Sequence, residues 1–194
     1  MRPARGQLIA LRPEARVADL TDEGLVAACA TGDRAARALL FERFVDAVHR
    51  FVARMRASDP HSVEDLVQAT FLAAFQSAAR FRGGHVRGWL YGIASNQVRH
   101  YARTEIRRKR ALAAVAELPP PPGARTGDPM LAARLPQAIA ELPHDQRAAL
   151  VLVDLEGERG ADAAAALGIP AGTLWRRVFE ARQALRAALG GGAP

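Results

Sequence analysis

Cysteine is almost absent from this 194-residue chain: Cys29 is the only one, so neither an intrachain disulfide nor a cysteine-based zinc site can form. It lies in an apolar stretch with helical spacing, where core packing is the expected role. Lysine is equally scarce. Lys109 stands alone, and the other cations among the 27 basic residues are arginines, set against 20 acidic residues for a formal charge of +7. Planar guanidinium groups engage phosphate in a bidentate way, which points to a polyanionic partner. Heavy alanine and arginine usage also follows from a GC-rich genome, so the position of the charges has to decide. Long apolar runs are missing too. The opening segment MRPARGQLIALRPEAR holds only four consecutive apolar residues, Leu8 to Leu11, far short of a signal peptide or a membrane span, and a cytoplasmic protein without membrane insertion is expected. No β-branched stretch with period two occurs, which excludes a sheet.

What is present is helical patterning in a chain that is 49% hydrophobic. Thr21 suits an N-cap, with Asp22 and Glu23 in the first turn of a helix that stops near Gly32, and Asp33 suits the cap of the next. Leu40, Phe44, Val48, Phe51 and Met55 form a stripe at steps of three and four, ended by Ser58-Asp59-Pro60-His61. Ser62 with Asp65 three residues later reads as a capping box, opening a helix with Val63, Val67, Phe71, Ala74 and Ala78 on one side and Asp65, Gln68, Leu72 and Gln76 on the other. Phe81 to His85 is a turn, and a long helix is expected from Val86 to Arg110. Pro119 to Pro122 cannot be helix interior and mark an extended linker. A second helical block follows, carrying Leu131, Leu135, Ile139 and Leu142, with Pro136 expected to kink or restart its first helix. The tail from Gly190 is expected to be disordered. The resulting fold class is all-α, with two small helical domains: an extension over 1–20, a domain over 21–112, a proline-rich linker over 113–129, a domain over 130–189 and a tail over 190–194.

Two segments carry the functional reading. Arg99, Arg103, Arg107, Arg108, Lys109 and Arg110 crowd the end of the long helix, opposed only by Glu105. Such a run can be a plain solvated face. Trp89, Ile93, Asn96, His100 and Arg103, however, step by four, three, four and three and share one side, an arrangement suited to unpaired bases and phosphates, where stacking contributes roughly 1–3 kcal/mol per base. Core burial of Trp89 is the equally open alternative. Farther on, Glu158 to Leu174 fits a helix-turn-helix, with Gly168 permitting the left-handed turn and Ile169 plugging the helix interface. The next helix then buries Leu174, Val178, Ala181, Leu185 and Leu189 and leaves Thr173, Arg176, Arg177, Glu180 and Gln183 outward, as a recognition helix does.

Together these motifs resemble the bacterial sigma-70 superfamily, in particular the short extracytoplasmic-function (ECF) sigma factors that keep regions 2 and 4; the resemblance spans Leu25 to Leu189. Gly32-Asp33 and Glu64 to Phe71 are similar to regions 2.1 and 2.2, Trp89 to Asn96 to region 2.3, and Arg99 to Arg110 to region 2.4. Leu142-Pro143, Glu156-Gly157, Gly172-Thr173-Leu174, Arg177, Ala181-Arg182 and Leu185-Arg186 resemble region 4. The resemblance implies promoter recognition and transcription initiation with core RNA polymerase. Glu64, Asp65 and Gln68 would meet the β′ clamp helices, and the second domain the β flap. Phe81, Arg82, His85, Trp89, Asn96, Arg99, His100, Arg103 and Arg107 would hold the melted −10 element, and Thr173, Trp175, Arg176, Arg177 and Glu180 the −35 duplex. An anti-sigma factor is an implied partner. The chain departs from the family pattern at His100, Trp175, Arg176, Glu180 and Ala163, the last replacing a usual isoleucine. A stand-alone helix-turn-helix regulator and a sigma-like decoy for an anti-sigma factor are the competing readings. No Ser/His/Asp order, phosphate-cradling glycine loop or metal-ligand cluster stands out among His49, His61, His85, His100 and His144, so neither an enzyme nor a cofactor or metal is expected.

Overall fold

The computed structural model describes residue 17 and residues 19–56, 59–116 and 131–190. The proline run, the first sixteen residues and the last four, with the expectations placed on them, lie outside it. Among the described residues there is no strand, and the α-helices are α1 (Asp22–Ala30), α2 (Arg34–Met55), α3 (Val63–Ser77), α4 (Val86–Ala116), α5 (Leu131–Glu141), α6 (His144–Leu150), α7 (Gly160–Leu167) and α8 (Ala171–Gly190).

Local chemistry sets most of these boundaries. Thr21 accepts a hydrogen bond from the Gly24 amide at 3.2 Å, and Asp33 accepts one from Ala36 at 3.0 Å, so the first two helices are capped as expected. The capping box at Ser62 does not form. Ser62 lies in a short 3₁₀ turn, its hydroxyl donating to the Asp59 carbonyl at 3.0 Å and accepting from Arg56 Nε at 3.1 Å. The reason is Arg56, a buried guanidinium that also needs Asp59 at 2.5 Å and Glu105 at 3.2 Å, with the Tyr101 ring beneath it. A buried charge left short of partners is costly, and it recruits the cap.

Helix α4 continues to Ala116 rather than stopping at Arg110, because the alanine-rich end has high helix propensity. Pro136 does not restart α5: the helix runs through it. The proline sits barely more than a turn from the start, where it forfeits a single intrahelical bond.

The stripe Leu40, Phe44, Val48, Phe51 and Met55 is buried, as are Val63, Val67, Phe71, Ala74 and Ala78, while Asp65, Gln68, Leu72 and Gln76 are exposed. Cys29 is buried with them, and burial pushes its thiol pKa up. Phe51 packs on Tyr91 with ring centroids 4.9 Å apart, which joins α2 to α4. In the C-terminal block α6 and α8 form the main pair, closed by Ile139, Leu142, Leu150 and Ala181.

The two blocks are not simply tethered. Helix α7 packs along α4, and Ala163, Ala164, Leu174 and Val178 belong to the same apolar cluster as Leu25, Phe51 and Tyr91. Between α6 and α7 the chain makes one π turn, Val151–Leu155, in which the Glu156 amide reaches the Val151 carbonyl at 2.9 Å. Such turns recur where a helix must re-aim side chains; this one turns Glu156 and Glu158 toward the N-terminal block.

Candidate nucleic-acid interface

The N-terminal surface is built on the first six turns of α4 and the loop before it. In that loop Gly83 and Gly84 have φ of 85° and 97°, a left-handed conformation that glycine adopts without strain. The Gly84 amide donates to Glu23 Oε1 at 2.8 Å, which anchors the loop to α1. Phe81 is half-buried against Trp89, with centroids 5.1 Å apart, so the core and stacking readings of Trp89 each hold in part: the ring is fixed by the core yet borders a cavity. That cavity, about 600 Å³, is lined by Phe81, Arg82, His85, Trp89 and Asn96 on one side and by Asp162, Ala165 and Ala166 of α7 on the other. Asn96, His100, Arg103 and Arg107 are exposed farther along α4. The sequence-predicted strip is therefore brought together on one side of one helix, with its N-terminal end roofed by α7.

Two predicted cations share one carboxylate within the chain. Arg99 Nη2 donates to Asp145 Oδ1 at 2.5 Å, and Arg177 Nη2 of α8 donates to Asp145 Oδ2 of the same carboxylate at 2.9 Å. One acid thus holds an arginine from each expected DNA-binding helix. Beside it, Ser95 Oγ and His144 Nε2 lie 3.2 Å apart. Burial and then the Arg99 charge hold the His144 pKa down at about 4, so the imidazole is neutral near neutrality.

Nearer the start of α4, Glu158 has only 2% of its side chain exposed, with His85 Nδ1 at 3.2 Å and Arg87 Nε at 2.8 Å. The Arg87 contact does not meet hydrogen-bond alignment and is an ion pair. Asp162 brings a third ligand-type atom, a carboxylate oxygen, within 4.8 Å of those of His85 and Glu158, and Arg87 supplies the cation that the buried Glu158 carboxylate needs. Tyr91 donates to Glu156 Oε2 at 3.0 Å; burial, then the Glu156 charge, pushes its pKa up. Arg54 donates to the Leu155 carbonyl at 2.8 Å and pairs with Glu156, and Arg147 donates to the Met55 carbonyl at 2.7 Å. Asp145, His144, Glu156 and Glu158 were missed in the sequence, because nothing in local spacing says that the blocks face each other. Isolated acids in a basic chain were the available signal.

Tight approach completes the contact. A Cβ placed on Gly92 would fall onto the Ala166 backbone carbonyl, and one on Gly88 would lie 3.9 Å from the Ala166 Cβ. Ala163, where the family resemblance implies an isoleucine, is fully buried in the apolar cluster shared by the two blocks.

On the C-terminal side Gly168 closes α7 with φ 63° and ψ 36°, the left-handed turn expected for a helix-turn-helix. Ile169 is half-buried against the core as its plug, and Leu174, Val178 and Ala181 are buried. Leu185 and Leu189 are only half-buried. Arg176 is exposed, with Glu180 at 3.4 Å, and Thr173 is half-buried. Trp175, 49% exposed, lays its ring over Gly160, where a Cβ would come within 2.6 Å. It therefore braces the turn as well as facing outward. Phe179 is 58% exposed on the same helix, one turn along, and was not singled out from the sequence. On α3, Glu64, Asp65 and Gln68 are all exposed, and Leu72, 59% exposed, extends their row.

Two family models match in order: Sigma-70 region 2 over residues 40–108 and Sigma-70 region 4 over residues 132–185. The chain belongs to the ECF RNA polymerase sigma factors. It is 36% identical over 165 residues to ECF RNA polymerase sigma factor SigE of Mycolicibacterium smegmatis, spanning 81% of this chain and 64% of that protein. To SigM of Mycobacterium tuberculosis it is 35% identical over 171 residues, covering 88% and 85%. Among solved structures, the sigma factor RpoE of Bartonella quintana in complex with the anti-sigma factor NepR is 26% identical, with a TM-score of 0.59, over 79% of this chain and 96% of that one. Region 2 is thus carried by α2 to α4 and region 4 by α5 to α8 of this ECF sigma factor.

Proposed function

We propose that this chain confers promoter specificity on core RNA polymerase in the cytoplasm, as a subunit that performs no chemistry of its own. Its units are an N-terminal one over 21–112 and a C-terminal one over 130–189. The carrying observation is that two separate arginine-bearing helices, α4 and α8, each fall inside one of the two family matches. The exposed row Glu64, Asp65 and Gln68 faces the β′ clamp helices, and the C-terminal unit faces the β flap. Phe81, Arg82, His85, Trp89 and Asn96 border a cavity sized for an unstacked base at the −10 element, and Arg99, His100, Arg103 and Arg107 follow the adjoining backbone. Thr173, Trp175, Arg176, Arg177 and Glu180 meet the −35 major groove. An anti-sigma factor is the expected regulator, by analogy with the RpoE complex.

Run-off transcription from a genomic library with purified core tests this: promoter-specific transcripts are expected, and their complete absence would refute it. Gel shifts with and without core separate it from a stand-alone regulator, which needs no polymerase. Arg176→Ala should lose about 1–3 kcal/mol and relax one −35 position, whereas Arg103→Ala should weaken all promoters alike.

A further inference from the structure

Three side chains of metal-ligand type, far apart in the sequence, converge beside the start of α4. His85 ends the glycine loop that Glu23 anchors, Glu158 follows the π turn, and Asp162 lies in the first turn of α7. His85 Nδ1 stands 3.2 Å from Glu158 Oε2, and a carboxylate oxygen of Asp162 completes a triangle with no side above 4.8 Å. Bonds of about 2.0–2.1 Å in a tetrahedral zinc site set neighbouring ligand atoms about 3.3 Å apart, so the first pair already has the spacing of one edge. Asp162 closes the rest by turning its side chain, because its ion-pair partner Arg159 is 3.9 Å away and exposed. Glu158 is a second, independent sign of a ligand. Its side chain is only 2% exposed, yet its Oε1 accepts no hydrogen bond, and Arg87 Nε beside it at 2.8 Å donates none. A carboxylate buried with its charge matched but its lone pairs unfilled is costly. We propose that His85, Glu158 and Asp162 form a binding site for a divalent ion of the zinc class. The imidazole nitrogen selects such an ion over magnesium or calcium, which take oxygen ligands. Arg87 stays on the far oxygen of Glu158 and orients it, as outer partners of metal ligands do. His85 and Asp162 also line the cavity of about 600 Å³, which provides an entry path and room for water in the fourth position.

Isothermal titration of the untagged, chelator-treated full chain with zinc chloride tests this. One equivalent should bind with micromolar affinity, and magnesium chloride should give no signal at the same concentrations. His85→Ala and Asp162→Asn, both at partly exposed positions, should keep their helicity by circular dichroism and bind zinc at least about tenfold more weakly, no less than the loss of an outer partner causes. His49→Ala, exposed on α2, should bind as the parent does. Cobalt chloride should give the intense visible absorption of a four-coordinate ion with the parent and lose it with His85→Ala. The proposal is overturned if zinc binds only at millimolar levels, or if either folded ligand variant binds as the parent does. It is equally overturned if His49→Ala loses as much, which marks adventitious surface binding, or if the cobalt absorption survives in His85→Ala. These readouts involve neither DNA nor polymerase, so the site stands or falls apart from the promoter reading.

Discussion

The N-terminal helices and the C-terminal ones are built from different core chemistry. Phe44, Phe51, Phe71 and Tyr91, with Leu25, Leu40, Met55 and Leu90, fill the first. Buried positions of the second, among the described residues, hold no aromatic and lean on Ala148, Ala149, Ala163, Ala164 and Ala181. Full burial of a large apolar side chain contributes roughly 1.5–3 kcal/mol, and alanine far less. The first unit therefore closes on itself. The second keeps a small cluster of its own around Ile139 and Leu150 and completes the rest against its neighbour.

The largest expected effect is on the self-sufficient side. Phe51→Ala should cost about 3–5 kcal/mol in urea unfolding followed by circular dichroism. Leu174→Ala, at the shared boundary, should cost less, about 2–3 kcal/mol, and equal losses would erase the contrast between the units. Next is Ala163→Ile, which restores the residue usual in the family. Because Ala163 is fully buried, the added methylenes should destabilise by about 1–3 kcal/mol, lowering the melting temperature. A gain in stability would mean that the shared cluster has room for a larger side chain at this position.

The smallest effect concerns pH. His144 is held at about 4 against an ordinary 6.5, by burial and by Arg99, Arg147 and Arg103, with Asp145 opposing. On acidification the unfolded chain takes up this proton first, so stability is full above about pH 6.5, falls as the pH drops toward 4 and then levels off. Discounted for partial exposure, the loss is about 1–2 kcal/mol. Denaturation midpoints at stepped pH should show it, and His144→Gln should flatten the slope in that window.

The all-helical plan, the Thr21 and Asp33 caps, the Gly168 turn and the apolar stripes were legible because each depends on residues within a turn or two of one another. The row at Asp65 and Gln68 and the strip from Trp89 to Arg103 were legible for the same reason. Ser62 was misread because Arg56, a charge buried by the tertiary fold, outcompeted the cap, and the helix restart at Pro136 because its cost falls near a helix start. The ion pairs at Asp145 and Glu158 could not be read at all. Arg99 and Asp145 are 46 residues apart, and their meeting depends on small residues in α7 that by themselves look like a loss of core.

The approach of α7 to Gly88 and Gly92 joins two parts of a single polypeptide. Such a contact is met at an effective concentration of about a millimolar, whatever the protein's abundance. A competitor that touches only one unit at micromolar levels works against a deficit of about a thousandfold. A partner that grips both units at once escapes that deficit, since the covalent connection then works in its favour. Selection among partners can thus arise from how many units each one engages, with no difference in the contacts themselves.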